Sequence, residues 1–313
     1  MGQGGYRQIN KALNVSVFES YLETQQAQLP KLQDIQQLSP RVIRILGQNP
    51  GKFTLQGTNT YIVGTGKKRL LIDTGQGMRE WADMVETTLG KHGIGFSHIM
   101  LTHWHGDHTG GVPDLLQMFP DLSDRVFKHS PSEGQRPIAD GEMFSVEGAT
   151  LRAIHGEGHS HGHVCFVLEE ENAMFTGDNA LGHGTSAVEH LGLYMQTLEK
   201  MKMQGCAVGY PAHGDIIANL TAKITQELAS KTRREERCLG IMSKLKSERG
   251  GMGRMASVTV KELVLAMHGS QLDDVMREKA LEPFVDEVLR KLAEDRKVAF
   301  HSRDGVRRWF LLS

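Results

Sequence analysis

The stretch LTHWHGDHTGG, residues 101–111, places His103, His105, Asp107 and His108 within six positions. It follows FSHIML, an apolar run that reads as a buried strand. A strand that empties directly into such a loop constrains the fold, because the loop must sit at a strand end and face other parts of the chain. A lone histidine is usually a surface residue or a satisfied core residue. Four ligand-type side chains crowded at one strand end are not explained that way. In a loop that turns just after a strand, His103 and His105 can point together, while Asp107 and His108 reach a second point nearby. That arrangement serves two metals better than one.

Further ligand types follow later apolar runs. GEGHSHGH offers His159, with His161 and His163 beside it; FTGDN offers Asp178; YPAHGD offers His213. Each lies next to glycine, where backbone can approach a bound ion closely. Imidazole with carboxylate and no thiolate suits zinc, manganese or iron. Two metals that share a carboxylate need a residue such as Asp178 between them. His155, His183 and His190 read as polar loop residues.

The rest of the chain is organised around these loops. RVIRILG is a strand, and TNTYIVGTGKKRLLIDTG alternates as a hairpin turning at residues 64–68. MREWADMVETTLGKHG has helical spacing with a C-capping glycine, and GGVPDLLQMF starts another helix. MFSVEGATLRAIHG, HVCFVLEE, NAMFTGDN and CAVGYPAHG are further strands, with the helix LGLYMQTLEKMKMQG before the last. Two strand-rich halves with interspersed helices predict a layered α/β architecture. Residues 1–38 are polar and Gln-rich and read as an N-terminal arm with one helix in VFESYLETQQAQL, stopped near Pro30. From residue 218 the pattern changes to a long polar helix, a GGMGRMAS linker, the helices TVKELVLAMHG and REKALEPFVDEVLRKLAEDRKV, the second interrupted by Pro283, and a hairpin turning at Asp304 and Gly305. Helices followed by a two-stranded wing predict a small winged-helix-like appendage over 218–313, with the catalytic domain over 39–217.

Bulk properties exclude several classes. A net charge of −1 gives no global reason for a nucleic-acid or membrane partner. No run approaches the roughly 18 apolar residues that span a bilayer. The opening MGQGGYRQIN has no apolar signal core, and Tyr6 stands where a myristoylation signal wants Ser or Thr. The glycosylation patterns at Asn14 and Asn219 are therefore expected to be inert. Cys165, Cys206 and Cys238 are odd in number and far apart, which fits reduced thiols and a cytoplasmic setting. The basic stretch KTRREER, residues 231–237, reads as a solvated helix face with Glu235 and Glu236 offsetting the arginines, and otherwise as a docking face for an acidic partner.

LIDTG, THWHGDH, GHSHGH, TGDN and PAHG together, in this order and spacing, resemble the metallo-β-lactamase superfamily over about residues 40–217. The resemblance implies an αβ/βα four-layer sandwich. It implies one metal held by His103, His105 and His159, a second held by Asp107, His108 and His213, and Asp178 bridging the two. Asp73 and His163 would stand behind these ligands and orient them. The implied cofactors are two divalent ions, zinc first and manganese as the alternative. Two such ions make a water acidic enough to attack at neutral pH and polarise a carbonyl or phosphoryl oxygen, with Asp107 accepting a proton as the catalytic carboxylate.

Two groups of that superfamily are similar to this chain. LSPRVIRILGQNPGKFTLQGTNTYIVGTGKKRLLIDTG and the winged-helix-like tail resemble a branch whose animal members look like single-strand-specific endoribonucleases. The N-terminal arm and GHSHGHVCFVLEEENAMFTGDNALGHGT resemble more closely the fungal thioesterases that act beside non-reducing polyketide synthases, such as the atrochrysone carboxyl ACP thioesterases. This second resemblance covers nearly the whole chain. It implies hydrolysis of the thioester joining an aromatic polyketide to the acyl-carrier domain of a partner synthase, a release that some members couple with ring closure. A thiol leaving group, with a pKa of about 8.5, needs little acid assistance. No dedicated general acid stands out in the sequence.

Overall fold

A computed structural model describes residues 24, 26–248 and 257–312. Of the helix expected in residues 17–29 only residues 24 and 26–29 are described, with 24, 26 and 27 helical, and the linker at 250–257 lies outside the described residues except for Ser257.

The first half of the chain builds a six-stranded sheet in the order β1-β2-β3-β4-β5-β6. Its strands are β1 (Ile35–Ser39), β2 (Val42–Leu46), β3 (Asn59–Val63), β4 (Lys68–Ile72), β5 (Gly95–Met100) and β6 (Val126–Phe127). β1 through β4 pair antiparallel, and β4-β5 and β5-β6 pair parallel. The second half builds a five-stranded sheet in the order β11-β10-β9-β8-β7. Its strands are β7 (Met143–Val146), β8 (Ala149–His155), β9 (Val164–Leu168), β10 (Ala173–Gly177) and β11 (Val208–Pro211). β1 lies largely within the residues read from sequence as an arm. IQQLS carries little apolar signal because an edge strand with one partner is only partly buried.

Side-chain alternation explains the stacking of the layers. On β9, Val164, Phe166 and Leu168 turn inward against Tyr61, Val63, Leu70 and Ile72 of the other sheet. Cys165 and Val167 turn outward against Tyr194, Leu198 and Met201 of α4 (Leu191–Met203). Both faces are covered, so the strand reads as a continuous apolar run instead of an alternating one. The first sheet is covered likewise. Ile43, Ile45, Ile62 and Leu71 pack on Trp81, Val85 and Leu89 of α1 (Arg79–His92) and on Leu115 of α3 (Val112–Met118). The result is helix, sheet, sheet, helix. Trp81 is fully buried, and its indole N–H donates to Thr60 Oγ1 at 2.9 Å. The C-cap of α1 is Gly93 at φ 62°, the left-handed position that the sequence places there.

Beyond β11, α5 (Leu220–Glu248) runs from the outer helical layer into a separate apolar cluster. That cluster joins Cys238 and Met242 of α5 to Leu263 and Val264 of α6 (Val260–His268). Val288 and Leu289 of α7 (Glu282–Glu294), and Val298 and Trp309 of the β12 (Val298–Arg303) and β13 (Val306–Leu311) hairpin, complete it. Asp304 and Gly305 both have positive φ at the hairpin turn, as a tight two-residue connection of this hand requires. The helix that contains Pro283 is interrupted near its start, as expected. Pro283 sits in the first turn of α7, just after a π-helical turn over Arg277–Leu281. The first turn of a helix has no use for the missing N–H, and the wider turn relieves the clash of the ring with the preceding carbonyl.

Candidate metal centre

Every ligand-type residue singled out from sequence lies just beyond a strand end, at one edge of the two sheets. Asp73 follows β4, His103 and His105 follow β5, His159 follows β8, His163 precedes β9, Asp178 follows β10 and His213 follows β11. Asp107 and His108 ride on α2 (Gly106–Thr109), a single turn for which His105 is the N-cap. That turn was not anticipated. It reverses the loop so that His108 points back beneath His103.

The seven residues converge on two points. His103, His105, His159 and Asp178 present one ligand atom each within 4.8 Å of one another, and so do Asp107, His108 and His213. In the first group His103 Nε2 is 2.8 Å from His105 Nδ1, His159 Nε2 is 3.2 Å from the same nitrogen, and Asp178 Oδ2 is 3.4 Å from His159 Nε2. In the second, His213 Nε2 is 3.2 Å and His108 Nε2 3.4 Å from Asp107 Oδ2. Asp178 Oδ1 lies 3.2 Å from His213 Nε2 and 3.5 Å from His108 Nε2. The two oxygens of Asp178 thus face different groups. Ligands around a tetrahedral ion about 2.0–2.1 Å away are separated by about 3.3 Å, so the spacing fits one divalent cation in each group. His108 Nε2 and Asp178 Oδ1 are buried with no hydrogen-bond partner among the described residues. Buried polar atoms are rarely left so, and a cation would satisfy both.

The residues behind these candidate ligands fix which ring nitrogen faces the centre. Asp73 Oδ1 accepts from Thr102 N at 2.8 Å, and its Oδ2 accepts from Thr102 Oγ1 at 2.8 Å and from His108 Nδ1 at 2.7 Å. His108 therefore turns Nε2 inward. His103 Nδ1 lies 3.0 Å from Thr102 Oγ1. His159 Nδ1 donates to the carbonyl of Ala187 at 2.8 Å. His163 is not at either point; its Nε2 accepts the Asp178 backbone N–H at 3.1 Å, and Nδ1 lies 2.9 Å from Asn179 Nδ2. Two glycines are required here. Gly177 has φ 51°, and a Cβ on it would stand 2.5 Å from His163 Nε2; Gly158 has φ 127°, and a Cβ there would stand 2.2 Å from the Tyr194 Cα.

Burial, helped by neighbouring imidazoles, holds His103 and His163 well below the usual histidine range and brings His105 to about 3. These rings are neutral, the form that binds metal. Burial opposes charge on Asp107 and Asp178, but His108 and His213 outweigh it and hold both carboxylates well below their usual range. Burial likewise opposes charge on His213, yet Asp178 and Asp107 push it up to about 9. Bound cations would take the place of those protons.

Other histidines stay apart. His161 is 65% exposed and stacks on Trp104 at 5.4 Å, His155 stacks on His129 at 3.9 Å, and His190 caps α4 by accepting from Leu193 N. Thr102, Ser186, Ala187 and Asn179 carry no ligand signal in sequence. Only Asn179, next to Asp178 in TGDN, could have been suspected. The KTRREER stretch is not the wholly solvated face it reads as in sequence. Lys231 is buried against Glu227, and Glu235 is buried against Lys291.

Residues 53–213 match the family model described as the metallo-beta-lactamase superfamily, and the chain belongs to that superfamily. Its fold is shared with a beta-lactamase domain protein from Burkholderia ambifaria at a TM-score of 0.69 and 17% identity, covering 90% of this chain and 95% of that one. Among curated proteins it is similar over its full length to fungal enzymes named atrochrysone carboxyl ACP thioesterase. One from Aspergillus aculeatus is 65% identical, covering all of both chains, and one from Paecilomyces divaricatus is 64% identical, covering all of this chain and 99% of that one.

Proposed function

We propose that this protein is a metal-dependent thioesterase that hydrolyses the acyl-carrier-protein thioester of an aromatic polyketide made by a partner non-reducing polyketide synthase. The observation that carries the reading is the 65% identity, held from end to end, to a relative named for that activity. The chemistry of the site supports it. His103, His105 and His159 would hold one divalent ion, Asp107, His108 and His213 a second, and Asp178 would bridge, with zinc favoured by the imidazole-rich set and manganese the alternative. Two ions so held would polarise the thioester carbonyl and make a water acidic enough to attack at neutral pH.

The remaining steps belong to this chain. The Asp107 side chain is 22% exposed against 11% for Asp178, so it is the carboxylate a reacting water can reach. It accepts the proton of the attacking water, and the cation that takes the place of the His108 and His213 protons would keep it ionised. Asp73, through Thr102 and His108, and His163, through the Asp178 backbone, keep the reacting groups from drifting. The thiolate departs unaided because its conjugate acid has a pKa of about 8.5. A ring closure coupled to release fits the same electrophilic site. Among the described residues no helix is long and apolar enough to cross a membrane, and the free, buried cysteines accord with work in the cytoplasm beside the synthase.

The test offers a polyketidyl carrier protein and a single-stranded RNA oligomer to one preparation, beside its Asp107→Asn variant. We expect rapid release of free carrier thiol, intact RNA, and a loss of turnover by orders of magnitude in the variant with little change in KM. RNA cleavage with an untouched thioester would promote the endoribonuclease reading instead.

A further inference from the structure

The helix α5 carries two charged residues where charge is costly. Glu227 and Lys231 are 8% and 4% exposed and stand one helical turn apart beside Tyr194, Leu228 and Ile224 of the outer apolar layer. Their Nζ and Oε2 atoms are 3.2 Å apart, and the ammonium lies 5.7 Å from the centre of the Tyr194 ring. A buried ion pair of this kind is weak evidence for stability, since removing two charges from water offsets much of their attraction. Its partners show another use for it.

Both charges reach the hydroxyl of Thr185. Lys231 Nζ donates to Thr185 Oγ1 at 2.9 Å, and Thr185 Oγ1 donates to Glu227 Oε2 at 2.8 Å. A hydroxyl has one hydrogen, so accepting from the lysine and donating to the glutamate leaves it a single orientation. One turn earlier Lys223 pairs with Glu227 Oε1 at 3.3 Å and donates to the carbonyl of Gly184 at 2.6 Å. The next two residues of that loop back the metal centre. The Ala187 carbonyl accepts from His159 Nδ1, and the Ser186 hydroxyl, 3.0 Å from the same nitrogen, donates to that carbonyl at 2.9 Å. The loop belongs to neither sheet, so strand pairing does not hold it.

We propose that Glu227 and Lys231 are positioning residues for the metal centre: through Thr185 they fix the loop whose Ser186 and Ala187 orient His159. Neither touches substrate or metal. The proposal rests on His159 being a ligand of the first metal. It makes the helix that leads into the C-terminal cluster part of the support for one metal, whereas His108 of the second is held by Asp73 from the other sheet. Partners that orient a metal-binding histidine typically affect affinity about 10- to 100-fold when removed.

The experiment measures metal affinity by chelator competition on the full chain, with thermal unfolding of the metal-free protein as a control for folding. Thr185→Val keeps the shape of the side chain and removes the hydroxyl. We expect the binding step that His159→Ala abolishes to weaken about tenfold or more, while the metal-free protein unfolds near the parental temperature. Thr185→Ser restores the hydroxyl and should restore affinity. The paired change Glu227→Gln with Lys231→Met, which leaves no lone buried charge, should weaken the same step. A Thr185→Val protein that binds both ions as the parent does would overturn the proposal, as would one that merely unfolds earlier with its metal affinity intact. His159→Ala separates the two readings. Loss of one equivalent upholds the ligand assignment on which the proposal stands, and retention of both at parental affinity would overturn that assignment and the proposal with it.

Discussion

Asp178 is the residue whose two oxygens face both halves of the candidate centre. Its Oδ2 faces the group built from His103, His105 and His159, and its Oδ1 faces His108 and His213. No other side chain among the described residues stands in both groups by these contacts. Asp178→Ala is therefore expected to lose most of the metal, falling from close to two equivalents toward none by elemental analysis of purified protein. A variant that still carries two equivalents would rule out the bridging role. The backbone on either side explains why the carboxylate can be placed so finely. Gly177 turns at a positive φ under the His163 ring, and the Asp178 N–H is held by that ring. The side chain leaves a fixed backbone with little freedom to lose.

At the scale of elements, the helices of the C-terminal region show how local chemistry sets boundaries. α6 starts in a capping box: Thr259 Oγ1 accepts from Glu262 N at 3.1 Å, and Glu262 Oε2 accepts from Thr259 N at 2.7 Å. Glu262 also meets Arg308 of β13 at 3.1 Å, so the cap ties the helix to the hairpin. Thr259→Ala should cost about 1 kcal/mol. Urea unfolding followed by circular dichroism checks this, and metal content should not change. An unaltered midpoint would mean that solvent satisfies the helix end as well as the threonine does. The cap is legible in sequence as T-x-x-E before VLAM. The π turn before α7 is not, because it depends on where Pro283 meets the preceding turn and on how Arg277 is held by Asp274, Glu278 and Glu282.

For the whole molecule, the junction between α5 and α7 gives a pH dependence of stability. Burial pushes Glu287 up to about 7, against the pull of Lys231 and Arg234 on α5 and Arg290 on α7. An unfolded glutamate titrates near 4.3. Below that value both states are protonated and the group contributes nothing. As pH rises toward 7 the unfolded chain ionises while the folded one resists, so stability falls across that window and levels off above it. Glu287→Gln removes the titration. The variant should therefore gain thermal stability relative to the parent as pH is raised from 4.5 to 8. A difference between the two that stays constant across that range would show that Glu287 ionises freely in the fold.

Local chemistry made the metal-ligand candidates, most strands, the capping glycine of α1 and the β12–β13 turn readable from the chain alone. Each depends on neighbours in sequence: HWHGDH crowds its donors within two turns of backbone, apolar runs mark strands covered on both faces, and Asp304-Gly305 accepts positive φ. β1 escaped because an edge strand needs no apolar run. The α2 turn escaped because four residues carry no period. Tertiary structure alone decided which donor faces which point. Asp178 meets His108 and His213 because β10 pairs with β11 and the two sheets stack face to face. The orientation of His159 was likewise invisible. It is set by the carbonyl of Ala187, a group every residue carries, and by a buried lysine and glutamate whose charges in sequence look like those of any solvated helix. Hydrogen bonds to backbone and the desolvation of ion pairs depend on what the fold brings close, and no local pattern records them.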